Sequence, residues 1–314
     1  MIKKIYILLL IVTMVAPLQS CANASGNVSQ ASSGHKAPTE AQTDAVAETK
    51  DTLGPDASKI VRLLKTARQL SADSVLPLFF ARQFLGVPYV AHTLEVNDSE
   101  RLVVNTSQLD CTTLVETVTA LTLCAQRQDT TYTAYQQTLQ AMRYRGGVVD
   151  GYPSRIHYFT DWIVENQKAG IVNEVQLPNP PFTAVQTVKV NYMSTHPQSY
   201  KALREHPEYV ARIAQTERAI SGLKFRYIPK QLVGNQALLR RAVQDGDIIA
   251  ITCNKAGLDI AHLGFAVWHE DGLHLLNASQ LHHQVVEEPM ILYRYLQQHP
   301  SHTGIRIIRI KNSK

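Results

Sequence analysis

The sequence predicts an α+β domain in which helices come first and a meander of antiparallel strands follows. Two observations carry this reading. From about Asp56 to Ala219 apolar residues recur at helical spacing, whereas after Gly222 they gather in short β-rich runs separated by Gly, Asn and Asp. Helices that precede the strands, rather than alternating with them, pack on one face of an antiparallel sheet.

Ser58 to Leu70 carries Ile60, Val61, Leu63, Leu64 and Ala67 at helical spacing. Val75 to Leu85 is a second helix, ended by Gly86 and Pro88. Cys111 to Leu123 is a third, with Leu114, Val115, Val118 and Leu121 on one stripe. Tyr132 to Met142, Ile156 to Asn166 and Pro207 to Ala219 follow, and Pro178 to Pro181 breaks the chain between the last two. The predicted strands are Asp247–Thr252, His262–Trp268, Leu273–Ala278, Gln284–Glu287 and Ile305–Ile310.

Ahead of this domain lie two other segments. Lys3 and Lys4 precede an apolar run from Ile5 to Val15, the pattern of an export signal and too short to span a bilayer. Leu18-Gln19-Ser20-Cys21 resembles a bacterial lipobox, so residues 1–21 are expected to end in a lipidated Cys21, with plain cleavage near Ala22–Ala24 as the alternative. This would place the protein in the bacterial cell envelope, periplasmic or lipid-anchored. Residues 22–55 are rich in Ala, Ser, Thr and Gln, bury too little apolar surface to fold, and are expected to form a disordered linker. Residues 56–314 form the folded domain, expected as a monomer.

The net charge of +5 is spread along the chain and gives no nucleic-acid patch. Of four cysteines, three follow Cys21: Cys111, Cys124 and Cys253. An odd number leaves at least one unpaired, and so few in a domain this large make no disulfide framework.

The residue types for thiol chemistry are present. Cys111 opens a predicted helix, where backbone N–H groups and the helix dipole lower a thiol's pKa and can hold an oxyanion. A cysteine at that place is equally read as a packing residue. His262 begins a strand; beside Cys111 it would take the thiol proton as base, and alone it would be structural. Asn277, near the end of the next strand, can orient that imidazole or simply end the strand in a turn. The cluster Arg155, His157, Tyr158, Asp161 and Trp162 offers a cation, aromatics and donors suited to a sugar and a carboxylate. The same spacing fits an amphipathic helix with Tyr158 and Trp162 in the core. Arg155 and His157 are placed at the pocket.

Five motifs in order extend this reading: Gly86-Val87-Pro88-Tyr89, Asp110-Cys111-Thr112, Gly246-Asp247, His262-Leu263-Gly264 and Asn277-Ala278-Ser279. Together they resemble the NlpC/P60 group of papain-like cell-wall cysteine hydrolases. The Trp-Gly-Gly usual after Pro-Tyr is replaced by Val90-Ala91-His92, and Cys111 and His262 stand about 150 residues apart. The second departure implies a large insertion, approximately residues 132–233. With Leu109-Asp110-Cys111-Thr112-Thr113-Leu114-Val115-Glu116 and Arg155 to Trp162, both departures resemble the N-acetylmuramoyl-L-alanine amidase-like branch. The resemblance implies a papain-like fold, no cofactor and no metal, with Cys111 as nucleophile, His262 as base and Asn277 as its orienter. It implies cleavage of the muramoyl–L-alanine amide in peptidoglycan fragments, the anhydro-muropeptides. It also places Tyr89 beside the thiol, as oxyanion donor, substrate contact or packing residue, and leaves Asp110 as substrate contact or helix cap.

Other readings compete. A zinc hydrolase could use His269, His274, His282 and His283, but no His-Glu-x-x-His occurs and strand alternation would separate His282 from His283. A γ-D-glutamyl–diamino-acid endopeptidase would use the same thiol chemistry. A non-catalytic lipoprotein that binds muropeptides is the third alternative.

Overall fold

The computed structural model describes residues 53–312. The expected export signal, Cys21 and nearly all of the expected linker lie outside these residues.

Five helices form the first layer. α1 (Pro55–Ala67) begins with Pro at its first turn, ends near Lys65 and buries Ile60, Leu63 and Leu64. α2 (Leu76–Arg82) is one residue shorter at its start, and three at its end, than the apolar pattern suggested. α3 (Cys111–Gln126) is the central helix. Its sequence shows one apolar stripe, yet every residue from Thr113 to Cys124 is buried, the threonines included. α4 (Tyr132–Arg143) and α5 (Phe159–Lys168) complete the layer. The charge buried on α3 is matched: Glu116 meets Arg143 of α4 at 2.7 Å, with both side chains almost fully enclosed. Burial without a partner would be far costlier than leaving both in water.

The second layer is an eight-stranded sheet: β1 (Val172–Val175), β2 (Ala184–Thr187), β3 (Lys224–Pro229), β4 (Ile248–Cys253), β5 (Ile260–Trp268), β6 (Leu273–Ser279), β7 (Gln284–Glu287) and β8 (His302–Ile310). The order is β2-β3-β8-β4-β5-β6-β7, every pairing is antiparallel, and β1 also pairs with β8. Alternation divides the strands between two cores. Ile248, Ala250, Leu263, Phe265 and Ile308 face α1–α5. Ile249, Ile251, Leu275, Ile305 and Ile307 face the other way. That second face is covered by α9 (Gln236–Leu239) and α10 (Leu292–Gln297).

The mixed helix and antiparallel-sheet class therefore stands as expected. The segment 132–233 is woven into the fold. α4 and α5 bury residues in the same core as α3, and β1 and β3 hydrogen-bond to β8. Only its middle forms a separate layer. There α6 (Tyr192–Thr195), α7 (Lys201–Glu205) and α8 (Glu208–Ile220) build a small core with Tyr152 and Tyr158. Glu217 anchors that core, accepting from the Tyr158 hydroxyl at 2.7 Å.

Candidate active site

Two strand-like contacts bring the chain to Cys111. After the left-handed Gly86, residues 86–89 run beside β7: Gly86 N–H donates to Val285, Val285 N–H to Val87, and Tyr89 N–H to His283. The same segment pairs with Leu109, which donates to Pro88 and accepts from Val90. Tyr89 is thereby fixed beside the residue that precedes Asp110 and Cys111. Asp110 caps α3 in a capping box: its Oδ1 accepts from Thr113 N–H at 2.8 Å, and Thr113 Oγ1 accepts from Asp110 N–H at 2.8 Å. Of the two open readings of Asp110, the structure shows the cap.

His262 and Asn277 come from neighbouring strands. His262 Nε2 lies 2.9 Å from Asn277 Oδ1, and Asn277 Nδ2 donates to the Leu275 carbonyl at 3.3 Å. The second bond orients the amide, so the atom facing the imidazole is an acceptor. Nε2 must then carry the proton, which leaves Nδ1 as the basic nitrogen. Asn277 is buried to 1% exposure, so the donor–acceptor pair is shielded from water. Gly264 makes room for the arrangement. A Cβ there would stand 2.7 Å from the Leu276 carbonyl and 2.7 Å from Leu275 Cδ1, so only glycine lets β6 lie this close behind His262.

Cys111 is half-buried and its thiol is free, as are Cys124 and Cys253. The Leu263 backbone amide, one residue beyond His262, lies close enough to the sulfur to favour its thiolate, as does Thr112. Burial and the Asp110 carboxylate outweigh these groups and push the thiol up to about 12. Burial also holds His262 below its ordinary value, against the opposing pull of Asn277. Any lowering of the thiol pKa by the helix terminus is outweighed by burial and Asp110. Both groups rest uncharged, the thiol protonated and the imidazole neutral, because burial disfavours their charged forms.

Tyr89 feels the same surroundings; burial, then the charges of Cys111 and Asp110, push its hydroxyl up to about 12. It therefore stays a protonated donor beside the thiol. Arg155 and His157 form a cluster of their own. Arg155 is 8% exposed, lies 3.3 Å from Glu100 and 3.6 Å from Glu95, and stacks over Tyr152. It is an enclosed cation that ties the loop between Tyr89 and Cys111; the sequence placed it at the pocket. His157 bonds the Tyr152 carbonyl at 3.0 Å, and burial and Arg155 push it down to about 3. A cavity of about 420 Å³ opens beside them, lined by Glu95, Glu100, Tyr152, Arg155, Lys201 and Tyr209. Trp162 and Tyr158 are core residues, as their helical spacing allowed.

The other motif glycine and aspartate are structural. Gly246 takes a left-handed turn, and Asp247 holds Arg309 of β8 with two bonds of 2.7 Å. The histidines weighed as metal ligands are engaged in hydrogen bonds, with the rings of His269 and His274 4.4 Å apart. His269 meets Glu287, His274 meets Asp271 and the Glu288 carbonyl, and His282 meets the Glu288 carboxylate. Among the described residues no group of three or more His, Cys, Asp or Glu is placed to hold a metal ion.

Sequence reasoning passed over the side of the site formed by α10 and the start of β8. Tyr295 senses the charges of Glu288 and Cys111, and His302 senses those of His299 and His262. Pro300-Ser301-His302-Thr303-Gly304 looks like an ordinary turn entering a strand; only the register of that strand shows where His302 goes.

Comparison with known proteins assigns the family. Residues 79–305 match the model of the AmiA-like, N-acetylmuramoyl-L-alanine amidase-like family. The chain belongs to that family. An N-acetylmuramoyl-L-alanine amidase of Bacteroides uniformis is 41% identical, over 75% of this chain and 98% of its own, with a TM-score of 0.70. A Bacteroides fragilis protein described as a candidate xylanase is 40% identical over 74% of this chain and 99% of its own, with a TM-score of 0.69. A Legionella pneumophila protein shares the fold at 23% identity, covering 81% of this chain and 94% of its own, with a TM-score of 0.60. No curated protein matches.

Proposed function

We propose that this chain is a papain-like cysteine amidase of the NlpC/P60 type that hydrolyses the N-acetylmuramoyl–L-alanine bond of peptidoglycan fragments. The observation that carries it is the Asn277-oriented imidazole of His262, with its basic Nδ1 free and the Cys111 thiol against the next residue's amide. Family membership and the named Bacteroides uniformis amidase support the bond chosen.

In this mechanism Cys111 Sγ attacks the lactyl carbonyl carbon as its proton passes to His262 Nδ1. Asp110 takes Thr113 N–H and Thr112 faces the sulfur, so the amide of Cys111 remains in the first turn of α3 for the oxyanion, with Tyr89 as a second donor. The intermediate collapses by breaking the C–N bond, and His262 returns the proton to the departing L-alanyl amine. A water, deprotonated by His262, then attacks the thioester, releasing the lactyl carboxylate and the thiol. A retaining or inverting glycosidase would instead need two free carboxylates across the scissile bond. Here Asp110 caps α3 and Glu288 pairs with His282 at 3.1 Å, which disfavours that reading.

The substrates in this reading are soluble anhydro-disaccharide peptides, met in the cell envelope by an enzyme exported and anchored through Cys21. Mass spectrometry of products from a defined anhydro-disaccharide-tetrapeptide tests the bond. Release of free tetrapeptide supports the amidase. A product cut after D-glutamate would install the endopeptidase reading, and binding without turnover the non-catalytic one. Comparable rates on intact sacculi would exclude specialisation for fragments.

A further inference from the structure

Two β-bulges meet at Thr252. Ile251 pairs with His262 but Thr252 with Ile260, so Ala261 is the extra residue on β5. On the other side Thr252 pairs with Gly304 but Cys253 with His302, so Thr303 is the extra residue on β8. A bulge re-aims the side chains beyond it. Without Thr303 as an extra residue, alternation from Ile305 would turn His302 toward α3; with it, His302 shares the face of Ile251, His262 and Ile305. The two histidines thus flank the end of β4 on one face.

His302 is built into an aromatic stack there. Its ring lies 4.6 Å from His299 at an interplanar angle of 12°, and 6.1 Å from Tyr295. His299 is held by Tyr295, whose carbonyl bonds its Nδ1 at 2.8 Å, and its own carbonyl accepts from Lys230 Nζ at 3.1 Å. His302 is 8% exposed, and its Nδ1 is buried without a partner. A buried N–H left unmade is disfavoured more than a bare lone pair, so the proton belongs on Nε2, the nitrogen that is not sealed. Burial, then His299, His262, Lys230 and Lys255, keep the ring neutral by pushing its pKa down to about 3. The groups that bear on this place are therefore His262, His299, Lys230 and Lys255, with Tyr295 in the stack. The nearby acid, Glu288, is occupied by His282.

We propose that His302, presented by the β8 bulge and backed by His299 and Lys230, is a specificity residue whose Nε2–H receives a carboxylate of the substrate peptide. A fixed donor with the charges of Lys230 and Lys255 bearing on it suits an anion better than a carboxamide. The proposal rests on the amidase reading for the identity of the peptide, and its test is a binding measurement that needs no turnover.

The probes are N-acetylmuramoyl-L-alanyl-D-glutamate and its diamide, titrated calorimetrically into Cys111→Ala and into Cys111→Ala/His302→Gln. The first protein should bind the dicarboxylate about tenfold more tightly than the diamide, as one charge-assisted hydrogen bond implies. The second should bind both alike, with the diamide affinity unchanged and the same Tm. Equal affinities for the two probes in the first protein, or an unaltered preference in the second, would overturn the proposal. If His302→Gln lowers Tm, His299→Gln is the second variant and must also shrink the preference. Cleavage of the dicarboxylate by the wild-type protein, measured separately, decides the amidase reading on its own.

Discussion

Asn277 Oδ1 accepts from His262 Nε2–H at 2.9 Å, and this single bond leaves Nδ1 as the imidazole nitrogen able to accept a proton. Asn277→Ala should leave the tautomer unfixed and lower kcat by about 10- to 100-fold, less than the about 100- to 10,000-fold expected from losing the base in His262→Ala. Asn277→Asp gives a sharper test. A carboxylate at this place stabilises imidazolium, raises the His262 pKa, and moves the acid limb of kcat/KM to higher pH. The wild-type limb should lie below 6.5, since burial lowers that pKa. A limb that does not move in Asn277→Asp would remove Asn277 from the mechanism.

The thiol gives a second prediction. With its pKa pushed up to about 12, Cys111 would depend in the proposed mechanism on His262 for deprotonation near neutrality. In the wild-type protein iodoacetamide should alkylate Cys111 at pH 7 and abolish hydrolysis, sparing the buried Cys124 and Cys253. In His262→Ala the same reaction should be slow at pH 7 and rise continuously as pH increases toward 11. A plateau reached below pH 8 in that variant would mean a thiolate stabilised by the helix terminus alone. Cys111→Ala should be inactive with an unchanged circular dichroism spectrum.

Much of this was legible in the sequence because it depends on local chemistry. Asp-Cys-Thr-Thr announces a capped helix start, and His-x-Gly before an apolar run announces a strand with one close-packed position. The roles of Asp110 and Arg155 were less legible. Asp110 raises the thiol pKa only because α3 is sunk in the core, and Arg155 looks like a free cation until Glu95 and Glu100 are seen around it. β1, β2 and β3 escaped notice because they are short, partly exposed and flanked by prolines, and they become strands by pairing with β8 or with each other. His302 was invisible for another reason. One extra residue in β8 decides its face, and register is a property of strand pairs.

Gly264 carries the third prediction. A methyl group there meets the Leu276 carbonyl at 2.7 Å, which a rigid backbone cannot relieve without moving β6. Gly264→Ala should destabilise the fold by about 1–3 kcal/mol, the range for overpacking. Because Asn277 lies on β6, kcat should fall beyond what the lost folded fraction explains. Chemical denaturation and kcat measured on the folded protein separate the two effects. An unchanged kcat would mean that β6 can shift without disturbing His262.

The last prediction concerns Arg155. Its guanidinium lies among Glu95, Glu100 and the ring of Tyr152, while Glu100 also accepts from the Tyr144 hydroxyl at 2.7 Å. Arg143 of α4 holds the same loop through the Val103 carbonyl at 2.6 Å. These contacts fasten the chain that leaves Tyr89 and returns at Asp110. Arg155→Ala would leave Glu100, enclosed to 6% side-chain exposure, without its cation. Removing one partner of such a pair is expected to destabilise by about 3–5 kcal/mol, so Tm should drop by several degrees. Pairing the change with Glu100→Gln should restore part of that loss, because the stranded charge is gone. The loop's freedom should also reach the site, lowering kcat through Tyr89 and Cys111. A variant with native Tm, native kcat and only a raised KM would show that Arg155 meets substrate directly.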